Sequence, residues 1–259
     1  LALCYECGGL GIEKDEKEAV KYFKLAADQG HADAAYSVAL KLVENDEKLA
    51  LEYFQVAADQ ENPEAQCMLA LRYYKGEGVE QDQSKALKYF ELAAEQGYAE
   101  AQCSLGIFLL KGESGVDKDE EKGFSYLKEA AQQGNAEAQL MCGLCKLNGL
   151  GTTTNLESAV TYLKAAAQQG NAEAQYSLAL RYFSGEGVDQ DEQTAIELFQ
   201  SAAQQQNSEA QYSLAQCYLF GEGVDKDEQK ATELFQSAAK QGHSGAAEEL
   251  KKLLNTDST

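Results

Sequence analysis

Apolar and small residues recur along this chain at spacings of three, four and seven, the mark of amphipathic α-helices. Between Asn207 and Gly242 they fall at Ala210, Leu214, Ala215 and Tyr218, then at Ala231, Leu234, Phe235, Ala238 and Ala239, and so predict two helices. The stretch from Asn171 to Gln206 repeats the pattern almost residue for residue, and both copies are 36 residues long. Self-similarity at such a period marks a stacked repeat architecture. A stacked array has no single core, so residues 1–259 read as one continuous solenoid of helix pairs.

The copies can be delimited throughout. Residues 1–30 end a unit whose first helix is truncated, and 31–61 form a short copy with Val43, Glu44, Asn45 and Asp46 in place of the Gly-rich loop. Full copies follow at 62–97, 98–134, 135–170, 171–206 and 207–242; the second of these is longer by one residue at Gly112–Gly115. Residues 243–254 read as a last, capping helix, because Lys251 stands where a further helix would need a small residue, and 255–259 as a polar tail. Leu1, Leu3 and Tyr5 lack a covering helix, so the array is expected to continue upstream.

The helix ends are written in the same register. Asn62, Asn135, Asn171 and Asn207 stand where an N-cap oxygen accepts from the first free amides, and Asp82, Asp191 and Asp227 do so before the second helices. Pro63 falls at the first helical position, where its missing amide costs nothing. Gly30, Gly97, Gly134, Gly170 and Gly242 end second helices as a left-handed cap requires. Glu61 and Gln206 break that rule, so those junctions are either built differently or slightly weak, a left-handed non-glycine residue costing about 1–2 kcal/mol. Ala70, Gly106, Gly143, Ala179 and Ala215 share one position, which predicts close approach of a neighbouring helix there.

Charge narrows the partners. A net charge of -21 with pI near 4.4 argues against nucleic acid and anionic membrane surfaces and points to a basic or neutral protein or peptide. No run reaches the roughly 18 apolar residues of a membrane helix, which excludes direct membrane insertion by a helix of that kind. Cys4, Cys7, Cys67, Cys103, Cys142, Cys145 and Cys217 all fall in first helices, so bridges within a repeat are unavailable; packed thiols in a reducing, cytoplasmic compartment are expected. The chain opens at Leu1 in mid-pattern without an initiator Met, so the N-terminus reads as truncated and a leader stays open.

The residues Ala65, Leu69, Ala70, Tyr73, Gly76, Gly78, Val79 and Asp82, then Ala86, Tyr89, Phe90, Ala93, Ala94 and Gly97, closely resemble the Sel-1-like repeat, a relative of the tetratricopeptide repeat. The resemblance spans nearly the whole chain. It implies an all-α fold, a right-handed α-solenoid of antiparallel helix–turn–helix units whose first helices line a concave groove, and an adaptor or scaffold role without a shared catalytic site. A secreted, cysteine-rich branch with a disulfide in each unit has been linked to penicillin binding, which would make the chain a small-molecule binder or hydrolase; the second-helix cysteines of that branch are missing here. A spacer role in a larger multidomain protein is a further alternative.

The candidate binding residues lie on the first helices. At 100° per residue, Tyr36, Cys67, Cys103, Leu140, Tyr176 and Tyr212 sit at the edge of the buried arc, as do Leu40, Leu71, Ile107, Leu144 and Leu180. They form either a partly exposed stripe suited to a peptide or partner helix, or a widening of the core between helices. Beside them run Asp33, Glu64, Glu100, Glu137, Glu173 and Glu209, which would either steer a basic partner or simply complement the helix dipole.

Other motifs carry less. Gly76-Glu77-Gly78, Gly185-Glu186-Gly187 and Gly221-Glu222-Gly223 follow helices and lack a Lys-Ser/Thr, so they read as tight turns rather than phosphate cradles. The Cys4/Cys7 and Cys142/Cys145 pairs lie several units apart and supply two ligands each; they read as packed thiols, with no metal and no cofactor assigned. Ser125 and Lys128 match S-x-x-K in mid-helix without companion motifs, and the two histidines, His31 and His243, stand at helix starts. No catalytic residue is assigned.

Overall fold

The computed structural model describes residues 1–9, 11–112 and 117–256, with side chains to residue 253. It is built of helices, and its internal contacts divide it into two compact units, Leu1–Gln133 and Gly134–Thr259. Unit 1 holds α1 (Ala2–Cys7), α2 (Glu16–Ala27), α3 (Ala32–Leu42), α4 (Glu47–Asp59), α5 (Pro63–Lys75), α6 (Gln83–Glu95), α7 (Ala99–Lys111) and α8 (Glu120–Gln132). Unit 2 holds α9 (Ala136–Asn148), α10 (Leu156–Gln168), α11 (Ala172–Ser184), α12 (Glu192–Gln204), α13 (Ser208–Phe220), α14 (Glu228–Lys240) and α15 (Ser244–Thr256). Successive odd and even helices pair, and within a unit each pair packs on the next.

The caps act as their sequence implies. Asn62, Asn135, Asn171 and Asn207 each accept from the amide three residues on, at 2.8–2.9 Å. Asp82, Asp191 and Asp227 do the same before α6, α12 and α14, and Asp46, Asp119 and Asn155 join them. The capping residue of the second helix also locks the turn. The amide of Asp82 donates to Tyr73 O at 3.0 Å, that of Asp191 to Tyr182 O at 2.9 Å, and that of Asp227 to Tyr218 O at 2.9 Å. The short copy reaches the same end differently, with Asp46 N donating to Leu42 O at 2.7 Å.

Close helix approach has a measurable cause. A Cβ added to Gly106 would lie 2.7 Å from Leu127 Cγ and 2.9 Å from Gly123 O, so the helix that comes near is α8, the partner within the same repeat. Gly187 is doubly required: its φ is 76°, and a Cβ there would meet Leu156 at 2.7 Å. This Gly-x-Gly loop is therefore packed onto the start of the preceding second helix. The cores are formed mainly by alanines and large residues of the second helices: Phe54, Phe90 and Leu127 in unit 1, Leu163, Ile196, Phe199 and Phe235 in unit 2, each at most 2% exposed.

Two expectations are revised. The last helix extends past residue 254 to Thr256, since nothing there breaks it, so the polar tail begins two residues later than its composition indicated. Tyr5 is covered, half-buried and stacked on Tyr22 at 5.5 Å, while Leu1 and Leu3 stand exposed. The inserted residue of the Gly112–Gly115 turn falls outside the described residues. Glu61 and Gln206 are built like the glycine junctions, with φ of 63° and 66° and the same bonds: Asn62 N to Ala57 O and Asn207 N to Ala202 O, both 3.1 Å.

Those two positions carry strain that glycine would release. Glu61→Gly combined with Gln206→Gly is expected to stabilise the fold by about 1 kcal/mol per site, read as a raised thermal unfolding midpoint; an unchanged or lower midpoint would contradict it.

Candidate functional site

The first-helix face is best formed in unit 2. The ring of Tyr176 on α11 packs against Phe199 of α12 at a centroid distance of 6.0 Å, and Tyr212 on α13 packs against Phe235 of α14 at 5.7 Å. Each tyrosine is half-buried and rooted in its own repeat's core. Burial pushes the Tyr176 hydroxyl's pKa up, a side-chain hydrogen bond with Ser213 opposes the shift, and Glu209 adds to it. The Tyr212 hydroxyl accepts from Gln216 Nε2 at 3.0 Å, and His243 stacks over the ring at 4.4 Å. His243 has a part the sequence did not disclose: its Nδ1 accepts from Ala246 N at 3.1 Å, capping α15, while Nε2 lies 3.4 Å from Glu209.

The stripe is interrupted elsewhere. Cys67, Cys103 and Leu140 occupy the position of the tyrosines but are buried, at 3%, 6% and 1% exposure, so of the two readings offered there the widened core holds at these three sites. The reason is reach: a tyrosine ring extends past the edge of the core, whereas Cys and Leu stop inside it. Tyr36 remains half-buried against Phe54 at 5.9 Å. One turn on, Leu40 is exposed and Leu71, Ile107, Leu144 and Leu180 are half-buried.

The acidic series has structural employment at several sites. Asp33 accepts from Asn62 Nδ2 at 3.1 Å and Glu137 from Asn171 Nδ2 at 3.4 Å, so a first-turn carboxylate holds the N-cap of the next repeat. Glu209 is taken up by His243 in the same way. Glu100 and Glu173 are exposed and Glu64 half-exposed, without an ion pair among the described residues.

A buried glutamine series went unread in the sequence. Gln66, Gln102, Gln175 and Gln211 are at most 7% exposed. Gln66 donates to Ala58 O at 3.3 Å and accepts from Gln96 at 2.9 Å; Gln211 donates to Ala203 O at 3.1 Å and accepts from Gln241 at 2.8 Å. The signal was present as a recurrent Glu-Ala-Gln with a second Gln 30 or 31 residues later. Phe220, 64% exposed two turns after Tyr212, was also passed over.

The chemistry of the cysteines is that of packing in five cases, Cys103 among them. Cys142 and Cys145 are buried, and burial, with Glu100 adding to it, pushes the Cys67 thiol up to about 12. Burial likewise raises Cys217 to about 11, with Glu222 next in effect. The first pair departs from expectation: Cys4 is half-buried and Cys7 exposed, because α1 ends in an open turn there. Among the described residues no group of three or more His, Cys, Asp or Glu is placed to hold a metal ion, and no helix is long and apolar enough to cross a membrane. Ser125 and Lys128 are both exposed on α8.

This periodic arrangement has relatives. The Sel1 repeat matches residues 1–31, 32–62, 63–98, 99–135, 136–171, 172–207 and 208–243. The chain belongs to the Sel1 repeat family. The fold class is accordingly all-α, a solenoid of antiparallel helix–turn–helix repeats. A protective antigen present in uropathogenic Escherichia coli strains, with the same repeat fold, is 31% identical, covers 98% of this chain and 55% of that one, and superposes with a TM-score of 0.82. A Sel1 repeat protein from Oxalobacter formigenes is 30% identical over 83% of this chain and 86% of its own, with a TM-score of 0.77. Chitin synthase regulatory factor 2 of Schizosaccharomyces pombe is 52% identical over 42 residues, which are 16% of this chain and 8% of the yeast protein. The chain thus spans little more than half of the E. coli antigen and a small part of the yeast relative. Sel1 repeat proteins generally act as protein-interaction scaffolds.

Thiol reactivity checks the burial pattern. At pH 8, below the raised values of Cys67 and Cys217, an aromatic disulfide reagent is expected to label Cys7 in the native protein, and Cys67 and Cys217 only after denaturation, as read by peptide mass mapping. Native labelling of Cys67 at the rate of Cys7 would contradict it.

Proposed function

We propose that the chain is a non-enzymatic scaffold that holds a peptide or partner domain of neutral or basic character on its first-helix face. The observation that carries this reading is the pair Tyr176 and Tyr212, each held against a phenylalanine of its own repeat while the residue stays half-exposed. A tyrosine held in this way offers apolar area and a polar tip at low entropic cost. Leu180 extends the apolar contact, and Tyr36, Leu40, Leu71, Ile107 and Leu144 provide the same chemistry at other repeats. Glu173, Glu100 and Glu64 leave carboxylates beside it for steering, in a chain of net charge -21. A binding rather than catalytic role agrees with the yeast relative being a regulatory factor.

Tyr176→Glu with Tyr212→Glu is expected to weaken capture of basic peptides from a displayed library by about 2 kcal/mol or more, with unchanged helical circular dichroism. Retained capture by the folded variant would remove the first-helix face from consideration. Raising ionic strength should weaken the same capture, since exposed carboxylates are screened beyond about 8–10 Å; affinity indifferent to salt would eliminate the steering role.

A further inference from the structure

Three apolar side chains stand in solvent at one repeat position of unit 1. Leu25 on α2, Val56 on α4 and Leu92 on α6 are 48%, 40% and 38% exposed. Each follows a half-buried tyrosine by three residues (Tyr22, Tyr53, Tyr89) and precedes an exposed carboxylate by three (Asp28, Asp59, Glu95). Residues three apart share a helix face, so each second helix presents tyrosine, aliphatic group and carboxylate in line. The lines adjoin: Gln55 of α4 exchanges hydrogen bonds of 2.9 and 3.1 Å with the Tyr89 hydroxyl, and Asp28 of α2 lies close enough to Tyr53 to add to the effect of burial on its hydroxyl.

Stacking does not require this row. The same position in unit 2 holds Ala165, Ser201 and Ser237, in helices of 13 residues, against 12 or 13 in unit 1, that likewise start on an Asp or Asn cap. In unit 1 the row stops at Glu129 of α8. Its border is acidic: Asp28, Asp59 and Glu95 have no ion-pair partner among the described residues. The other flank is mixed, with Lys21, Glu52 and Lys88, and Lys21 is already engaged by Glu18 at 3.0 Å.

We propose that this row docks a basic amphipathic helix of a partner protein, its apolar stripe on Leu25, Val56 and Leu92 and its cationic edge against Asp28, Asp59 and Glu95. An amphipathic helix recognises such a surface through side chains at i, i+3, i+4 and i+7, and one of roughly 14–20 residues spans three neighbouring helices. This surface is separate from the first-helix face and belongs to the second helices.

The probe is a labelled synthetic helix of about 18 residues composed only of Leu and Lys, with Leu at that spacing, titrated against the full chain by fluorescence anisotropy. Leu25→Ser, Val56→Ser and Leu92→Ser together leave the net charge unchanged and introduce the residue found at Ser201 and Ser237. This variant is expected to bind about tenfold more weakly or worse, whereas Leu150→Ser, at an exposed apolar residue outside both faces, keeps the original affinity. Equal affinity of the triple variant and the parent overturns the proposal, because the attraction is then electrostatic alone. Loss in a Tyr176→Ser, Tyr212→Ser variant with the triple variant unaffected also overturns it. So does a sedimenting dimer that the triple variant converts to monomer, since the occupant is then a second copy. Asp28→Asn, Asp59→Asn and Glu95→Gln, which leave the apolar core untouched, should lower both the affinity and its salt dependence; no change in either overturns the basic character of the partner.

Discussion

Everything in this fold depends on a pair of helices that cannot bury its own apolar face and must therefore be held in register with the next pair. The buried glutamine is the device that sets the register. Gln66 satisfies a carbonyl at the end of the preceding second helix and receives an amide from the end of its own repeat, so one side chain joins three helices. An unpaired amide at that depth would cost about 1–3 kcal/mol, which penalises any slip of one repeat on another. Alanine and glycine then allow close approach, and phenylalanine or leucine fills the space left between paired helices.

Because the register is fixed, a residue type chosen for the surface recurs in a row. The two candidate faces arise from this same cause and differ in what backs them. On the first helices the tyrosines are seated on phenylalanines, which pre-organises them. On the second helices of unit 1 the aliphatic groups stand free beside carboxylates. A chain with an acidic surface throughout would attract many cations weakly; ordered apolar anchors turn that attraction into a choice among partners.

The period of the sequence and its punctuation were enough to read the helices, caps and junction glycines, because those depend on local chemistry: Asn before a helix, Gly after it, Pro at its first turn. The face was harder. A helical wheel places Cys67, Leu140 and Tyr176 at one angle, yet the first two are buried and the last emerges, since exposure there depends on side-chain length and not on angle. Gln66 looks like a surface residue by type and was unreadable without its partner Gln96, a contact made across 30 residues. His243 as a cap likewise required the ring's placement on Tyr212.

The short copy shows what happens where the device is missing. Ala35 stands in the place of the buried glutamine, and Gln60, without a partner there, turns back onto Val56 O of its own helix at 3.2 Å; Gln29 does the same with Leu25 O at 3.0 Å. In a linear array, cooperativity passes only through nearest-neighbour interfaces. The junction of the first pair with α3 thus lacks a glutamine bridge and is held by apolar contact and by the ion pair of Lys41 with Glu6 at 2.7 Å. Where a linear array lacks the bracket, local opening costs least, so amide exchange is expected to begin in the first two helices and to be slower in the glutamine-bracketed repeats beyond.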